Sequence, residues 1–187
     1  MEERKRETIT VCLIPVGGQA NAVEIPADNT LAGLQSLVHG YVDVLNIRND
    51  GIVYWVNDEG LYTEAPNRAI YASKFMEDEG FVSQLDFNHP VKEGELYALL
   101  FGNIVATRED AEGNIVDMTA QDIEKMQREH PVSHDAYREI ARMQQERRNP
   151  HGKEDVLTLD SEAQNMSRAK DGTEDARHSG AHSREER

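Results

Sequence analysis

The stretch Gly40-Tyr-Val-Asp-Val-Leu-Asn-Ile-Arg-Asn-Asp-Gly-Ile-Val-Tyr-Trp-Val-Asn-Asp-Glu-Gly60 contains two runs of β-branched and aromatic residues on either side of Asn49-Asp50-Gly51. Asp-Gly is a strong hairpin signal, because a tight turn needs a positive φ angle that glycine adopts without steric cost. The second run, residues 52–56, is apolar throughout, which is typical of a strand covered on both faces. We therefore predict a β-hairpin whose second strand is the buried centre of a sheet, with Trp55 largely enclosed.

On the N-terminal side of the hairpin, the pattern predicts two further strands. Residues 8–16 and residues 22–25 are strand-like runs, and Gly17-Gly18 lies between them as a turn. The two runs are therefore predicted to form a second hairpin.

A helix is predicted between the two hairpins. Asn29 or Thr30 is placed to cap its N-terminus, and Gly40 stands where a left-handed C-terminal cap is needed. Residues 31–38 carry a single apolar stripe, so we expect this helix to lie against one face of the sheet.

On the C-terminal side, the longest apolar run of the chain is residues 95–106, which we interpret as one central strand. Gly102 is expected to mark a β-bulge in this strand or a point where another backbone segment approaches closely. Residues 69–76 are predicted to form a short helix. Residues 77–94 are predicted to be a polar loop held by four apolar anchors, Phe81, Val82, Leu85 and Phe87.

Two helices are predicted near the end of the chain. Thr119-Ala-Gln-Asp122 has the spacing of a capping box, and the helix that it starts ends before Pro131. The last helix spans residues 133–148. Residues 149–187 hold too few apolar side chains to offset the entropy of ordering, so we expect a disordered acidic tail.

These elements predict an α+β domain over residues 9–130. Its small mixed or antiparallel sheet follows the order strand-strand-helix-strand-strand, then a further central strand, with helices packed on the sheet. Residues 1–8 are expected to be a charged leader, and residues 133–148 a C-terminal helix.

The composition limits the partners of the chain. The net charge is -15, which repels nucleic-acid phosphates and membrane surfaces, so no direct nucleic-acid binding and no membrane association are expected. The single cysteine, Cys12, forms no internal disulfide, which suits a reducing cytoplasm. No apolar run approaches the roughly 20 residues of a membrane span.

A series of motifs then runs through the chain in a fixed order: Thr30-Leu31, Val38-His-Gly40-Tyr-Val-Asp-Val44, Asn57-Asp58-Glu59-Gly60-Leu61, Pro66-Asn67-Arg68-Ala69, Gly102-Asn103-Ile-Val and Met118-Thr119-Ala-Gln-Asp-Ile123. Over about residues 9–128 this series resembles the domain of unknown function 3846 family. The chain departs from the family at Asp43, where Glu is usual, and in residues 69–94, which look longer than typical.

The resemblance implies a setting rather than an activity. Family members look like short proteins of phages, plasmids and other mobile elements, mostly bacterial. The resemblance therefore implies an accessory protein of a mobile genetic element, and the family label carries no biochemical role.

Polar residues cluster where the buried strand ends and where the chain returns about ten residues later. We expect Asn57, Glu59, Asn67 and Arg68 to converge, with Arg68 bonded to Glu59 or Asp43. The cluster either locks the loop by satisfying backbone groups or forms a small polar pocket. The candidate binding or loop-locking residues are Asp43, Asn57, Glu59, Gly60, Asn67 and Arg68.

No catalytic, metal or cofactor site is predicted. His130 and His134 have the spacing of two zinc ligands on a helix, but Pro131 interrupts that helix and no Glu follows His130. We interpret both as isolated surface histidines and expect His39 to lie at a helix C-terminus. Nucleophile-elbow and phosphate-loop motifs are absent from the sequence, so the protein is not expected to be an enzyme.

Three functions are consistent with these features. The preferred one is a non-enzymatic accessory or interaction protein of a mobile element, which binds a protein partner. The alternatives are an acidic anti-restriction or anti-defence factor that mimics DNA charge, and a small-ligand binder or enzyme that uses the loop of residues 57–68.

Overall fold

The computed structural model describes residues 7–148, which form eight strands and five helices. Residues 1–6 of the predicted leader and the whole predicted tail, residues 149–187, lie outside the described residues. The chain divides into two compact units, the first ending at Ile140 and the second starting at Ala141. The described part of the second unit is the end of the last helix, and every feature below belongs to the first unit.

Strands and helices are mixed along the chain, as expected for an α+β domain. In chain order they are β1 Thr8–Ile14, β2 Asn21–Pro26, α1 Thr30–Val38, β3 Val42–Leu45, β4 Ile52–Asn57, α2 Gly60–Thr63, β5 Pro66–Tyr71, α3 Lys74–Asp78, β6 Leu96–Phe101, β7 Ile104–Glu109, β8 Ile115–Val116, α4 Ala120–Glu129 and α5 Asp135–Arg148.

The strands form two antiparallel sheets. The main sheet has the order β2-β1-β7-β4-β3, with β8 paired to β7, and β5 and β6 pair as a separate two-stranded sheet. The predicted α+β class with an antiparallel sheet is therefore confirmed. The middle of the main sheet is β7, whereas β4, which was predicted to be central, lies between β7 and the edge strand β3.

Both faces of the main sheet are covered, which the alternation along β1 illustrates. Ile9 and Val11 belong to an apolar cluster with α1 residues on one face. Cys12 and Ile14 belong to a larger cluster on the other face, together with side chains of β5, β6, α3 and α4. The second sheet and α4 therefore cover the face opposite α1.

The predicted hairpin is present as β3 and β4, with Leu45 opposite Tyr54 and Gly51 at φ +74°. Trp55, predicted to be largely enclosed, is partly buried and packs against the cluster on the α1 face. It is not fully covered, because its neighbour Val44 on the edge strand is itself 50% exposed. Its indole Nε1 donates a 2.8 Å hydrogen bond to Thr107 Oγ1.

The apolar run of residues 95–106 is not one strand, as predicted, but two strands in different sheets. Gly102, at φ +71°, turns the chain between β6 and β7. Asn103 fixes this turn, since its side chain accepts from Val16 N and donates to the carbonyl oxygen of Leu37. The positive φ angle of Gly102 and the hydrogen bonds of Asn103 therefore end one strand and start another within the apolar run.

The predicted helix over residues 69–76 is wrong in its first half. Residues up to Tyr71 complete β5, because they pair with β6, and only the residues from Lys74 onwards are helical. Ser73 caps α3 by accepting a hydrogen bond from Met76 N. Phe87, a predicted anchor of the following loop, is 76% exposed.

The N-termini of α1 and α4 follow the prediction, and the C-terminus of α1 does not. Asn29 caps α1, and Thr119 and Asp122 form the predicted capping box of α4. The left-handed residue after α1 is His39, at φ 63°, not Gly40. Gly40 is needed for another reason, since a Cβ there would lie 2.7 Å from Asn57 Nδ2.

Candidate binding cleft

Two of the predicted site residues, Asn67 and Arg68, are buried and join the two sheets. Asn67 Nδ2 donates to the carbonyl oxygens of Ile14 at 3.0 Å and Gly102 at 2.7 Å. Its Oδ1 accepts from Arg68 Nη1 at 2.6 Å. Asn67 therefore satisfies two backbone carbonyls and orients the arginine beside it.

The expectation that Arg68 bonds Glu59 or Asp43 is wrong. Its guanidinium donates to carbonyl oxygens of Asn67, Gly18 and His130, and its Nε has no hydrogen-bond partner within residues 7–148. Arg68 is 3% exposed, and its burial lowers its pKa. The side chain points towards the β1–β2 turn because β5 belongs to the second sheet, which lies over that part of the main sheet.

The other predicted site residues lie around the end of β4. Asn57 is buried, and its Oδ1 accepts from Glu59 N at 3.0 Å. Gly60 is buried close to Phe101, whereas Glu59 and Asp43 are exposed. In the described part of the chain, no hydrogen bond joins Asn57 or Glu59 to the Asn67–Arg68 pair, so the four residues form two groups rather than one.

A larger site, which the sequence did not indicate, is a cleft of about 580 Å³. Its walls are the loop before β4, the end of β5, α3 and one face of α4. The apolar part includes Ile47, Ile70, Phe75 and Met76. The polar part includes Arg48, Asp50, Tyr54, Lys125, Glu129 and His130.

Arg48 is the centre of the polar wall. It donates to both carboxylate oxygens of Asp50, at 3.0 and 2.6 Å, and to Glu129 Oε2 at 2.6 Å. Burial acts to lower the pKa of Arg48, but the bonds to the two carboxylates outweigh it and raise that pKa. Lys125 Nζ donates to Asp50 Oδ2 at 2.6 Å, so Asp50 bridges the β4 side of the cleft and α4.

Tyr54 and His130 form the deeper part of the same wall. The Tyr54 hydroxyl accepts from Arg48 Nη1 at 3.0 Å and lies 2.8 Å from His130 Nε2. Burial raises the pKa of Tyr54 to about 12 and lowers the pKa of His130 to about 4. At neutral pH the tyrosine is therefore protonated and the histidine neutral, and the hydroxyl lies within hydrogen-bond distance of both His130 Nε2 and, at 3.8 Å, Met126 Sδ.

The model of the family described as "Domain of unknown function (DUF3846)" matches residues 9–130 of the chain. The chain belongs to this family. No curated protein and no solved structure gives a significant match. In this DUF3846 protein, every residue that lines the cleft lies within the matched range.

The interpretation of His130 as an isolated surface histidine is wrong for this DUF3846 domain. The imidazole is mostly buried, and its ring packs edge-on against Tyr54 with the ring centroids 5.4 Å apart. A signal was present in the sequence, because His130 follows the apolar Met126 by four residues and so shares its helix face. His134 is exposed, as expected, and contacts the ring of Tyr137.

The cleft has the features of a binding site. Its volume is in the range of ligand sites, which are mostly apolar with a few convergent polar groups. Within residues 7–148, no cluster of three or more His, Cys, Asp or Glu residues is arranged to hold a metal ion. The helices of that same range include none that is long and apolar enough to cross a membrane.

Proposed function

We propose that this DUF3846 domain is a non-enzymatic binding protein and that its ligand occupies the cleft between β4, α3 and α4. One observation carries the proposal: an apolar floor formed by Ile70 and Met76 lies beside a polar wall whose geometry is fixed by internal bonds. A wall fixed in advance loses little conformational entropy when a ligand binds.

The protonation states support binding rather than catalysis. A general base is most effective with a pKa near the working pH, whereas the pKa of His130 is about 4. Tyr54, with a pKa of about 12, is a poor proton donor at neutral pH. Asp50 is bonded to two cations, and its pKa is lowered by them against the opposing effect of burial.

The setting that we propose is that of an accessory protein of a mobile genetic element, acting on a protein of the host or of the element. The family resemblance supports this setting. The net charge of -15 supports a protein partner over nucleic acid, because like charges repel.

A ligand screen read by NMR tests whether the cleft binds. Small fragments of all charge types are added to ¹⁵N-labelled protein, and the amide shifts of the cleft residues are followed. Ala69→Trp fills the cleft from β5, and Ala22→Trp on β2 is the matched control, since Ala22 is exposed and does not line the cleft.

We expect fragments to shift amides of the cleft in the wild type and in the control, but not in Ala69→Trp. The proposal is wrong if no fragment shifts these amides, or if the filled variant responds like the wild type.

A further inference from the structure

The charge of the cleft differs from that of the whole chain. The side chains that line it include three cations, Arg48, Lys74 and Lys125, and two anions, Asp50 and Glu129, and Lys74 is paired with Asp78 outside the lining. The cleft is therefore close to neutral, whereas the chain as a whole carries a net charge of -15. An anion is repelled less by these side chains than the net charge of the chain implies.

Most acceptors of the polar wall are already occupied. Asp50 accepts from Arg48 through both oxygens, from Lys125 and from the Ile52 amide. Glu129 accepts from Arg48 through Oε2, whereas its Oε1 makes no hydrogen bond among residues 7–148. A ligand that brings further donors therefore finds few acceptors in the cleft.

Donors, in contrast, remain unused. Lys125 has three N–H groups and makes one bond, to Asp50. The hydroxyl proton of Ser73, whose oxygen accepts from Met76 N, has no acceptor among residues 7–148. These groups lie on opposite walls, α4 and the start of α3, so the cleft offers donors from both sides.

Most of the remaining lining is apolar. Ile70 and Met76 are buried in the floor, and the Phe75 ring packs 6.0 Å from the ring of Phe81. Apolar ligand surface placed against these side chains gains about 25 cal/mol for each Å² removed from water.

We propose that the cleft binds a carboxylate carried on an apolar body, with the carboxylate at Lys125 and the apolar body against Ile70, Phe75 and Met76. This inference rests on the proposed function and names the class of its ligand. A free small acid and the C-terminus of a polypeptide with an apolar last residue share this chemistry.

The test uses three probes with one aromatic body and different charge: 3-phenylpropionate, 3-phenylpropanamide and 3-phenylpropylamine. Each is titrated into the full chain, and the amide shifts of cleft residues give its affinity. We expect the carboxylate to bind about tenfold more tightly than the amide, because charge-assisted hydrogen bonds exceed neutral ones in strength. We expect the amine to bind most weakly.

Two lysine variants localise the carboxylate. Lys125→Met keeps an unbranched side chain of nearly the same length and removes its charge, so it should reduce the preference of carboxylate over amide to about twofold or less. Lys92→Met, in the exposed loop before β6, should leave the preference unchanged. Circular dichroism establishes that both variants fold.

The titrations separate this inference from the proposed function. Equal binding of amide and carboxylate in the cleft, or an unchanged preference in Lys125→Met, overturns the carboxylate assignment while cleft binding stands. Absence of cleft shifts with all three probes also overturns it, and the broad fragment screen then decides the proposed function separately.

The peptide Ala-Ala-Phe and its C-terminal amide, titrated in the same way, distinguish the two sources. Tighter binding of the peptide acid than of 3-phenylpropionate assigns the cleft to a polypeptide C-terminus. The reverse order assigns it to a free acid.

Discussion

Arg68 donates a 2.9 Å hydrogen bond from Nη2 to the carbonyl oxygen of Gly18, which lies fifty residues earlier in the chain. The bond ties β5 of the second sheet to the β1–β2 turn of the main sheet. Asn67 holds the same guanidinium through Nη1, and no carboxylate bonds it within the described residues. A buried cation is therefore stabilised mainly by backbone and amide oxygens.

Replacing Arg68 should destabilise the fold. Arg68→Ala removes its hydrogen bonds to Gly18 and Asn67 and leaves those acceptors buried, so we expect a loss of about 1–3 kcal/mol in the free energy of unfolding. Urea denaturation measures it. Arg138→Ala, at an exposed arginine of α5, is the control and should change the midpoint little.

The same variant separates a structural role of Arg68 from a binding role. Arg68 does not line the cleft, so probe affinity should fall only as the folded fraction falls. An unchanged urea midpoint together with lost binding contradicts the structural role.

Val53→Asp should prevent folding. Val53 is 4% exposed in β4, and an unpaired carboxylate there costs several kcal/mol or stays protonated. Val56→Asp should act in the same way, since Val56 is also buried. Val44→Asp on the edge strand β3 is the control. Circular dichroism and the yield of soluble protein report the result, and a cooperative unfolding transition in Val53→Asp contradicts it.

Gly40→Ala should be destabilising because of Asn57 rather than because of its own backbone. The added Cβ would lie 2.7 Å from Asn57 Nδ2, and Asn57 is buried and bonded to Glu59 N. We expect a loss of about 1–3 kcal/mol, as for other overpacked sites. In an Asn57→Ala background the same change should cost much less. Equal costs in the two backgrounds, measured by urea denaturation, contradict this explanation.

Tyr54 and His130 should be energetically coupled. Tyr54→Phe removes the hydroxyl that joins Arg48 Nη1 to His130 Nε2, and we expect a loss of about 1–3 kcal/mol. A double-mutant cycle with His130→Gln should give a coupling free energy of about 0.5–3 kcal/mol. Tyr62→Phe, at an exposed hydroxyl, should have no effect, and additive effects of Tyr54→Phe and His130→Gln rule the coupling out.

His130 should make stability depend on pH. Its pKa is about 4 in the folded protein, against an ordinary 6.5, so the unfolded state binds more protons between these values. The free energy of unfolding therefore falls as pH falls from 6.5 to 4, by about 3 kcal/mol in total. Asp122, whose pKa Arg108 lowers to about 2, loses its contribution only below its ordinary 3.8.

Urea midpoints at pH 7, 6, 5 and 4 test this dependence. His130→Gln should flatten the slope between pH 6.5 and 4, whereas His134→Gln, at the exposed histidine just before α5, should keep it. A slope that survives in His130→Gln shows that another group causes it.

Local features of this fold follow from the sequence. The β3–β4 hairpin follows from Gly51 between two β-branched runs, and the capping box of α4 from Thr119 and Asp122 at a spacing of three. The Asn29 cap of α1 is of the same kind. Each depends on residues close together in the chain, whose conformational preferences are set by their own side chains.

The sequence by itself determined the class of the domain, the N-terminal caps of α1 and α4 and the polar residues Asn67 and Arg68, but not what those residues bond. Only the tertiary structure showed that β5 and β6 form a second sheet, which groups Arg68 bonds and where the cleft lies. Tyr54 contacts His130, which lies 76 positions later in the chain, and Arg48 bonds Glu129, 81 positions later. No local sequence pattern indicates either contact. Such contacts form because burial of two apolar faces brings β4 and α4 together, and only then do their polar groups find partners.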